Sequence, residues 1–352
     1  MTRIAVYGAT GFAGRLVAAE TLRRGFDLLL AGRDHERLRA VANALDVPET
    51  DLRVAELTDH DALTAAFRDA DAVINCATPF TLHGEPVVRA AIAAGAHYVD
   101  IAGEELYIKG VLDRYDDAAR AAGVTVLPAA NNDCLTGDLL GHLVADGLGE
   151  LETISVAFDA VDAEGSRGTV EMAHLTADTM RSGGLTWHDG HYHADRPAVR
   201  DSVAWPAGPG PAVKFALPPA VTIPRHVRTR HAEGLATPRI HGFFAGADRA
   251  LVDSMPPRQG PSEQSRARAR YCLVIDARAV DGTECRAVLE ARDMYGTTAV
   301  IAVEATRRLA AGPAFAGALA PAEVFDPADF LDHLRPHGLT WTIEPPIRHR
   351  IP

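Results

Sequence analysis

Six short apolar blocks mark the first third of the chain, at residues 3–7, 28–31, 51–55, 72–76, 98–101 and 124–127. Each is nearly continuous rather than alternating, the pattern of strands covered on both faces. Between the blocks the apolar positions take a helical period. Leu16, Val17, Ala18 and Leu22 form one such set, and Leu38, Val41, Ala42 and Leu45 a second. Both sets predict helices with one buried face. Further helices are predicted over 61–67, 86–94 and 105–122. This alternation predicts an α/β fold in which residues 1–135 form a Rossmann-type, doubly wound parallel sheet.

The rhythm changes near residue 151. Strand-like runs at 154–158, 271–279 and 285–292 are separated by loops. Residues 187–192 predict a hairpin turning at Asp189-Gly190. The Pro- and Gly-rich stretch 205–219 predicts an irregular excursion. Residues 136–296 are therefore expected to form a second, α+β domain for substrate binding and dimerisation. Helical period returns at Val300, Ile301, Val303, Ala305 and Leu309, with a short helix at 327–334. Residues 297–352 are expected as a C-terminal helical segment that packs back on the Rossmann domain.

Composition then narrows the classes of function. Hydrophobic residues make up 47% of the 352, enough for two cores. The net charge of −12 disfavours phosphate backbones, so no nucleic-acid partner is expected. No apolar run approaches the ~20 residues needed to cross a bilayer, so no membrane partner is expected. The first strand begins at Arg3, which leaves no space for a signal sequence. Cys76, Cys134, Cys272 and Cys285 contain no CxxC pair. Together these features predict a reduced, cytoplasmic chain. Lys109 and Lys214 are its two lysines, which confines any Schiff-base chemistry to them.

The first chemical signal is Gly8-Ala9-Thr10-Gly11-Phe12-Ala13-Gly14, between the first strand and the first helix. Gly8 permits the tight turn, Gly11 lets backbone N–H groups approach a pyrophosphate, and Gly14 lets the helix pack close to the strand. The second signal is the tip of strand two, Ala31-Gly32-Arg33. An NAD-binding chain usually carries a carboxylate there for the ribose 2′-hydroxyl. Arg33 instead suits a 2′-phosphate, so the expected cofactor is NADP(H). A tight turn without a ligand and a solvated surface arginine are the competing readings of these two signals.

Further motifs carry a family likeness. They are Asn75-Cys76-Ala77-Thr78-Pro79-Phe80, Gly84, and Gly95-Ala96-His97-Tyr98-Val99-Asp100-Ile101-Ala102-Gly103-Glu104. Ser166-Arg167-Gly168-Thr169 and the stretch 317–338, with Pro321-Ala322-Glu323 and Asp329-Phe330-Leu331, add to them. The chain resembles the saccharopine dehydrogenase-like oxidoreductases, which include saccharopine reductases and trans-acting enoyl reductases. One segment departs from the family pattern. The run Pro128-Ala129-Ala130-Asn131-Asn132-Asp133-Cys134 retains the aspartate but lacks the Cys-Gly-Phe that often precedes it, which sets saccharopine itself aside as substrate. The resemblance implies a nicotinamide-dependent reductase with a two-domain fold and a homodimeric assembly.

Ligands of open α/β sheets sit beyond the carboxyl ends of the strands. Cys76, Ala77, Thr78 and Pro79 are expected beside the cofactor's ribose and nicotinamide. Tyr98, Asp100, Glu104 and Cys134 are the proton-donor candidates. Competing readings are a core tyrosine for Tyr98, and helix-dipole complementarity for Glu104 and Glu105. No tyrosine is followed four residues later by lysine, so the Tyr-x-x-x-Lys pair of short-chain dehydrogenases is absent. No metal is expected, because His188, His191 and His193 read as hairpin residues. Arg225, Arg228, Arg230 and His231 read as a solvated loop rather than an anion site.

The expected reaction is NADPH-dependent reduction of a C=C or C=N bond in a small or carrier-bound metabolite, in the manner of secondary metabolism. The rivals are a non-catalytic NADP-sensing protein, whose cleft its own side chains would fill, and a homospermidine synthase-like enzyme, which needs an acidic amine pocket.

Overall fold

The computed structural model describes residues 2–312 and 315–348. The chain opens with β1 (Arg3–Tyr7), α1 (Phe12–Arg23), β2 (Asp27–Gly32), α2 (His35–Leu45), β3 (Leu52–Val54), α3 (His60–Phe67) and β4 (Ala72–Asn75). It continues through α4 (Phe80–Ala94), β5 (His97–Asp100), α5 (Glu105–Arg114), α6 (Asp116–Ala122), β6 (Thr125–Leu127) and α7 (Cys134–Ala145). These strands form one parallel sheet in the order β3-β2-β1-β4-β5-β6. That order places a topological switch point between β1 and β4, where such folds bind ligands.

Helix α1 buries Gly14, Val17, Ala18 and Thr21, a stripe at the i, i+3, i+4, i+7 spacing. Burial of Val17, fully out of solvent, contributes about 1.5–3 kcal/mol. Helix α4 begins six residues before the predicted start and carries Pro86 inside it. Its first N–H groups, of Phe80 and Thr81, are bound by the distant Glu104 carboxylate. The predicted helix over 105–122 is broken at Tyr115 into α5 and α6.

The second domain is built on a mixed sheet. Its elements are β7 (Leu151–Val161), α8 (Arg167–Ser182), β8 (Thr186–His188), β9 (His191–His193), β10 (Ser202–Trp205), β11 (Gly208–Pro211), β12 (Val213–Lys214) and α9 (Pro219–Thr222). They continue with β13 (His231–Ala236), α10 (Pro238–Ala245), α11 (Arg249–Ser254), α12 (Glu263–Arg268), β14 (Arg270–Ala279) and β15 (Thr283–Arg292). Asp189 and Gly190 both have positive φ, 45° and 87°, as a two-residue hairpin turn requires. The expected irregular excursion at 205–219 is partly ordered. Strands β10 and β11 form a hairpin, and β12 pairs with β13. Val203 and Ala212 supply the apolar contact, packing on Ala157, Leu235 and Val274.

Helix α13 (Met294–Ala311) returns to the parallel sheet and packs on α1, with Ala302 and Val303 in the same buried cluster as Val17 and Ala18. The rest of the C-terminal segment is not all helical. Strand β16 (Gly317–Ala318) adds to β6, α14 (Pro327–His333) packs on α7, and β17 (Thr340–Ile343) and β18 (Ile347–Arg348) extend the mixed sheet at β15. Buried Glu304 ties α13 to α1. It accepts from Arg24 at 2.6 Å and from Arg307 and Arg308 at 2.7 Å.

Candidate functional site

A cleft of about 720 Å³ runs along the carboxyl edge of the parallel sheet and into the second domain. Gly8, Thr10, Gly11, Phe12 and Ala13 line one end, with Arg33, Asp34 and Arg37 beside them. Gly8 has φ +79°, and a Cβ there would lie 2.9 Å from the backbone of Cys76 and Ala77. A Cβ on Gly14 would lie 2.2 Å from the Gly8 carbonyl oxygen. The backbone is therefore packed too closely for side chains at both positions. Gly11, the N-cap of α1, supplies no side-chain cap, and the first turn carries no acidic residue. The positive end of α1 is thus left for an anion. Asp34 caps α2 through the Arg37 N–H at 3.1 Å and pairs with the Arg37 guanidinium at 2.8 Å. That carboxylate is engaged by its own helix, and Arg33 makes no ion pair with it.

Cys76, Ala77 and Thr78 also line the cleft. Ala9, Gly14 and Pro79 are not among its lining residues. Ala9 is fully buried in the core, Gly14 serves helix packing, and Pro79 is the N-cap of α4.

Three of the four proton-donor candidates do not reach the cleft. Tyr98 and Asp100 are fully buried behind it. Asp100 Oδ1 accepts from the N–H groups of Ala102 (3.0 Å) and Ala129 (2.8 Å), and Oδ2 accepts from the hydroxyls of Tyr98 and Tyr107, both at 2.9 Å. Asn75 donates to the Tyr98 hydroxyl at 3.0 Å and accepts from the Ala77 N–H at 3.0 Å. This network joins the ends of β4, β5 and β6. It also holds Ala129 at φ +66°, a left-handed conformation uncommon outside glycine. Burial pushes the Asp100 carboxyl up to about 6, against the pull of the Ala129 and Ala102 N–H groups. With its acceptor sites filled, Asp100 is a positioning residue.

Cys134 is buried as well, and burial with the charge of Asp133 holds its thiol far above the usual range. Its Sγ donates to Asp133 Oδ1 at 3.8 Å. Glu104 does line the cleft, but its carboxylate accepts from the N–H groups of Phe80 (2.7 Å) and Thr81 (2.5 Å) and from the Thr81 hydroxyl. It caps α4 rather than complementing α5. Glu105 reaches across to the Leu185 N–H at 2.7 Å. Arg225 is neutralised by Glu323 at 2.9 Å, and Arg230 lies 3.4 and 3.2 Å from Glu150 and Glu152.

Asp133, at the start of α7, also lines the cleft, as do Asp34, Glu164 and Glu171. Burial pushes Asp133 up to about 6, against hydrogen bonds from its own backbone and Cys134. It therefore carries a proton over part of the near-neutral range. The aspartate is present in the sequence motif, but nothing local distinguishes it from a helix-start residue. Opposite it, the Tyr295 hydroxyl accepts from the Ser166 N–H and bonds the Thr169 hydroxyl, both at 2.7 Å. Asn132 and Thr298 bind each other at 3.1 and 3.2 Å, fixing α13 to the β6 loop. Beyond them the second domain walls an apolar lobe with Phe158, Met172, Met180, Phe215, Ile240 and Phe244.

This geometry agrees with what the chain resembles. The family model described as the saccharopine dehydrogenase NADP binding domain matches residues 4–127. The first domain is a saccharopine dehydrogenase-type NADP-binding domain. The saccharopine dehydrogenase (L-Glu forming) of Saccharomyces cerevisiae has the same fold, with a TM-score of 0.62 at 15% identity over 98% of this chain and 100% of that one. A trans-acting enoyl reductase of Mycobacterium tuberculosis is 35% identical over 160 residues, 42% of this chain and 38% of the relative. A lipid droplet localized protein of Caenorhabditis elegans is 28% identical over 274 residues, 75% of this chain and 61% of the relative. The chain thus spans less than two thirds of either relative. The NADP-binding domain fits its nucleotide in the closeness of Gly8 to Ala77, the uncapped start of α1 and the cationic strand tip. Gly8–Ala13 would hold the pyrophosphate, Arg33 the 2′-phosphate, and Ala77 and Thr78 the nicotinamide half. Among the described residues no helix is long and apolar enough to cross a membrane.

Proposed function

We propose that the protein is an NADPH-dependent reductase of a carbon–carbon double bond in an acyl-like, small or carrier-bound substrate. The observation that carries this reading is the continuity of the cleft. It passes from the glycine turn, past Asp133, into a lobe walled by Phe and Met side chains. Reduced nicotinamide supplies a hydride when bound. The chain's own residues do the rest. The apolar lobe holds the alkyl portion and excludes water. Asp133, neutral below about 6, donates a proton to the carbon next to the one that takes the hydride, and Cys134 steadies its carboxyl. The same arrangement accommodates a C=N acceptor.

An open cleft favours an enzyme over a sensor whose site is filled by its own side chains. An apolar inner lobe favours a reductase over a synthase that must bind a polyamine. A cytoplasmic homodimer belongs to the same proposal, and sedimentation of the purified protein tests the dimer. The activity test is NADPH consumption with 2-enoyl thioesters of rising chain length, on the parent and Asp133→Asn. Turnover that rises with chain length, and a kcat at least about tenfold lower in Asp133→Asn, are expected. An unchanged kcat removes Asp133 from proton delivery. Turnover of imines with none of any enoyl thioester refutes the substrate class.

A further inference from the structure

We infer that the site for the cofactor's 2′-phosphate is completed from outside the NADP-binding domain, by Arg258 of the second domain. The inference rests on the NADP reading above and adds a residue that no motif of the first domain contains.

Arg258 lies in the loop between α11 and α12, and Pro257, Arg258 and Gln259 line the same cleft as Arg33, Asp34 and Arg37. The loop crosses onto the glycine turn. Gly260 sits so close to the Phe12 ring that a Cβ there would fall 2.3 Å from it, and Phe12 is the first residue of α1. The loop is held from behind by one residue. The Arg167 N–H donates to the Gln259 carbonyl at 2.8 Å, and its guanidinium donates to the carbonyls of Val252 (2.6 Å) and Met255. Arg258 itself is half-buried at φ +60°, a left-handed conformation for a residue with a long side chain.

Its surroundings are cationic. Burial, then the charges of Arg37 and Arg15, push the Arg258 guanidinium below its ordinary range, with Asp34 opposing and Arg33 adding to the effect. Asp34 is already bound to Arg37 through its side chain and N–H. The guanidinium groups of Arg33 and Arg258 make no hydrogen bond or salt bridge to any other described residue. Three guanidinium groups, those of Arg33, Arg37 and Arg258, thus line one end of the cleft with Asp34, whose carboxylate is already engaged. Such a grouping costs like-charge repulsion that a dianion relieves. A 2′-phosphate is that dianion, and the 2′-hydroxyl of NADH is not. The 2′-phosphate therefore ties the loop of the second domain to the glycine turn on which it already packs, and NADH adds no such tie.

The test uses the full chain and the fragments that isolate this phosphate, 2′,5′-ADP and 5′-AMP. Their binding is measured by calorimetry on the parent, Arg33→Ala, Arg258→Ala and Arg258→Lys. Hydrogen exchange is followed over residues 256–260. Arg258→Ala is expected to weaken 2′,5′-ADP about tenfold or more and to leave 5′-AMP within about twofold. Arg258→Lys is expected to recover part of the loss by charge alone. In the parent, 2′,5′-ADP slows exchange in 256–260 and 5′-AMP does not. If Arg33→Ala loses 2′,5′-ADP and Arg258→Ala keeps it, the NADP reading stands and the inference is overturned. Equal loss of both nucleotides in Arg258→Ala also overturns it, because the loop then only packs on the turn. If the parent does not distinguish the two nucleotides, the NADP reading fails and takes the inference with it.

Discussion

Replacing Gly14 by alanine puts one methyl group 2.2 Å from the Gly8 carbonyl oxygen, 2.9 Å from the Gly8 carbonyl carbon and 3.0 Å from the Ala9 Cα. All three are backbone atoms, and the first is more than an ångström inside an ordinary contact. The turn has little freedom to yield. The Gly8 N–H is bound to the Ala31 carbonyl at 3.0 Å, its carbonyl accepts from the Gly11 N–H at 2.9 Å, and a Cβ added to it would lie 2.9 Å from the Ala77 nitrogen. Overpacking of this kind costs about 1–3 kcal/mol. If that cost falls on the conformation that binds the nucleotide, the NADPH dissociation constant rises roughly 5- to 150-fold, and the melting temperature falls by several degrees. Gly11→Ala is the internal control. Gly11 has φ −72°, and its added Cβ meets nothing nearer than the Gly8 oxygen at 3.2 Å. That variant should melt close to the parent yet lose NADPH, because its methyl group stands where the pyrophosphate must come. Fluorescence titration and thermal melts on both variants separate the two roles. Parent-like binding and melting by Gly14→Ala would refute the steric account of the turn. So would equal destabilisation by both variants.

Two other predictions concern stability. For Glu304, burial is outweighed by the hydrogen bonds from Arg307 and Arg308 and the charge of His333, and its carboxyl is held down at about 2. A depressed folded pKa contributes stability above the ordinary carboxylate range and loses it as pH falls towards 2. Glu304→Gln should therefore destabilise by about 3 kcal/mol at pH 7, with the difference shrinking by pH 3; a constant difference across that range would reassign the effect to packing. Glu105 is the opposite case. Burial raises it to about 8, against the Leu185 N–H and the charge of Lys214, and its second oxygen has no partner. Stability tied to a raised carboxyl is greatest below the ordinary range and is lost as pH rises through 8, at about 1.4 kcal/mol per unit. Glu105→Gln keeps an acceptor for Leu185 and cannot ionise, so it should melt above the parent by a margin that widens from pH 5 to pH 8.5.

The parallel sheet was legible because its strands, the edge strand β3 apart, are apolar runs and the connections carry helical stripes. Those signals are local. What escaped the sequence depends on contacts between distant residues. Pro86 argues for a helix that starts late, yet α4 begins at Phe80 because Glu104, 24 positions away, caps it. The second domain's hairpin at 202–211 has too many Pro and Gly residues to read as strand, and it is ordered by Val203 and Ala212 against the mixed sheet. Among the acids, Asp100 and Asp133 both end up near 6, the first at the end of β5 and the second at the start of α7. Asp100 is held behind the cleft by Tyr107 and Ala129 while Asp133 lines it, and neither partner is marked in the run around Asp100. Arg37 lies one helical turn from Arg33 and was within reach of sequence reasoning. Arg258, more than two hundred residues on, was not.

Burying Asp100 looks wasteful until its four hydrogen bonds are read as geometry. A carboxylate taken out of water costs several kcal/mol unless its acceptor sites are filled, and here they are filled from α5, from its own strand and from the loops after β5 and β6. No neutral side chain of that length accepts four donors from those directions. An asparagine offers one acceptor oxygen and turns an N–H group on either the two backbone amides or the two tyrosines. The carboxylate thus fixes Ala129 in its left-handed conformation and sets the path of the chain into Asn132 and Asp133. A cleft-facing acid is useful only if held to within a fraction of an ångström. The first domain spends a buried charge on that placement, and none of the four hydrogen bonds that hold it comes from the second domain.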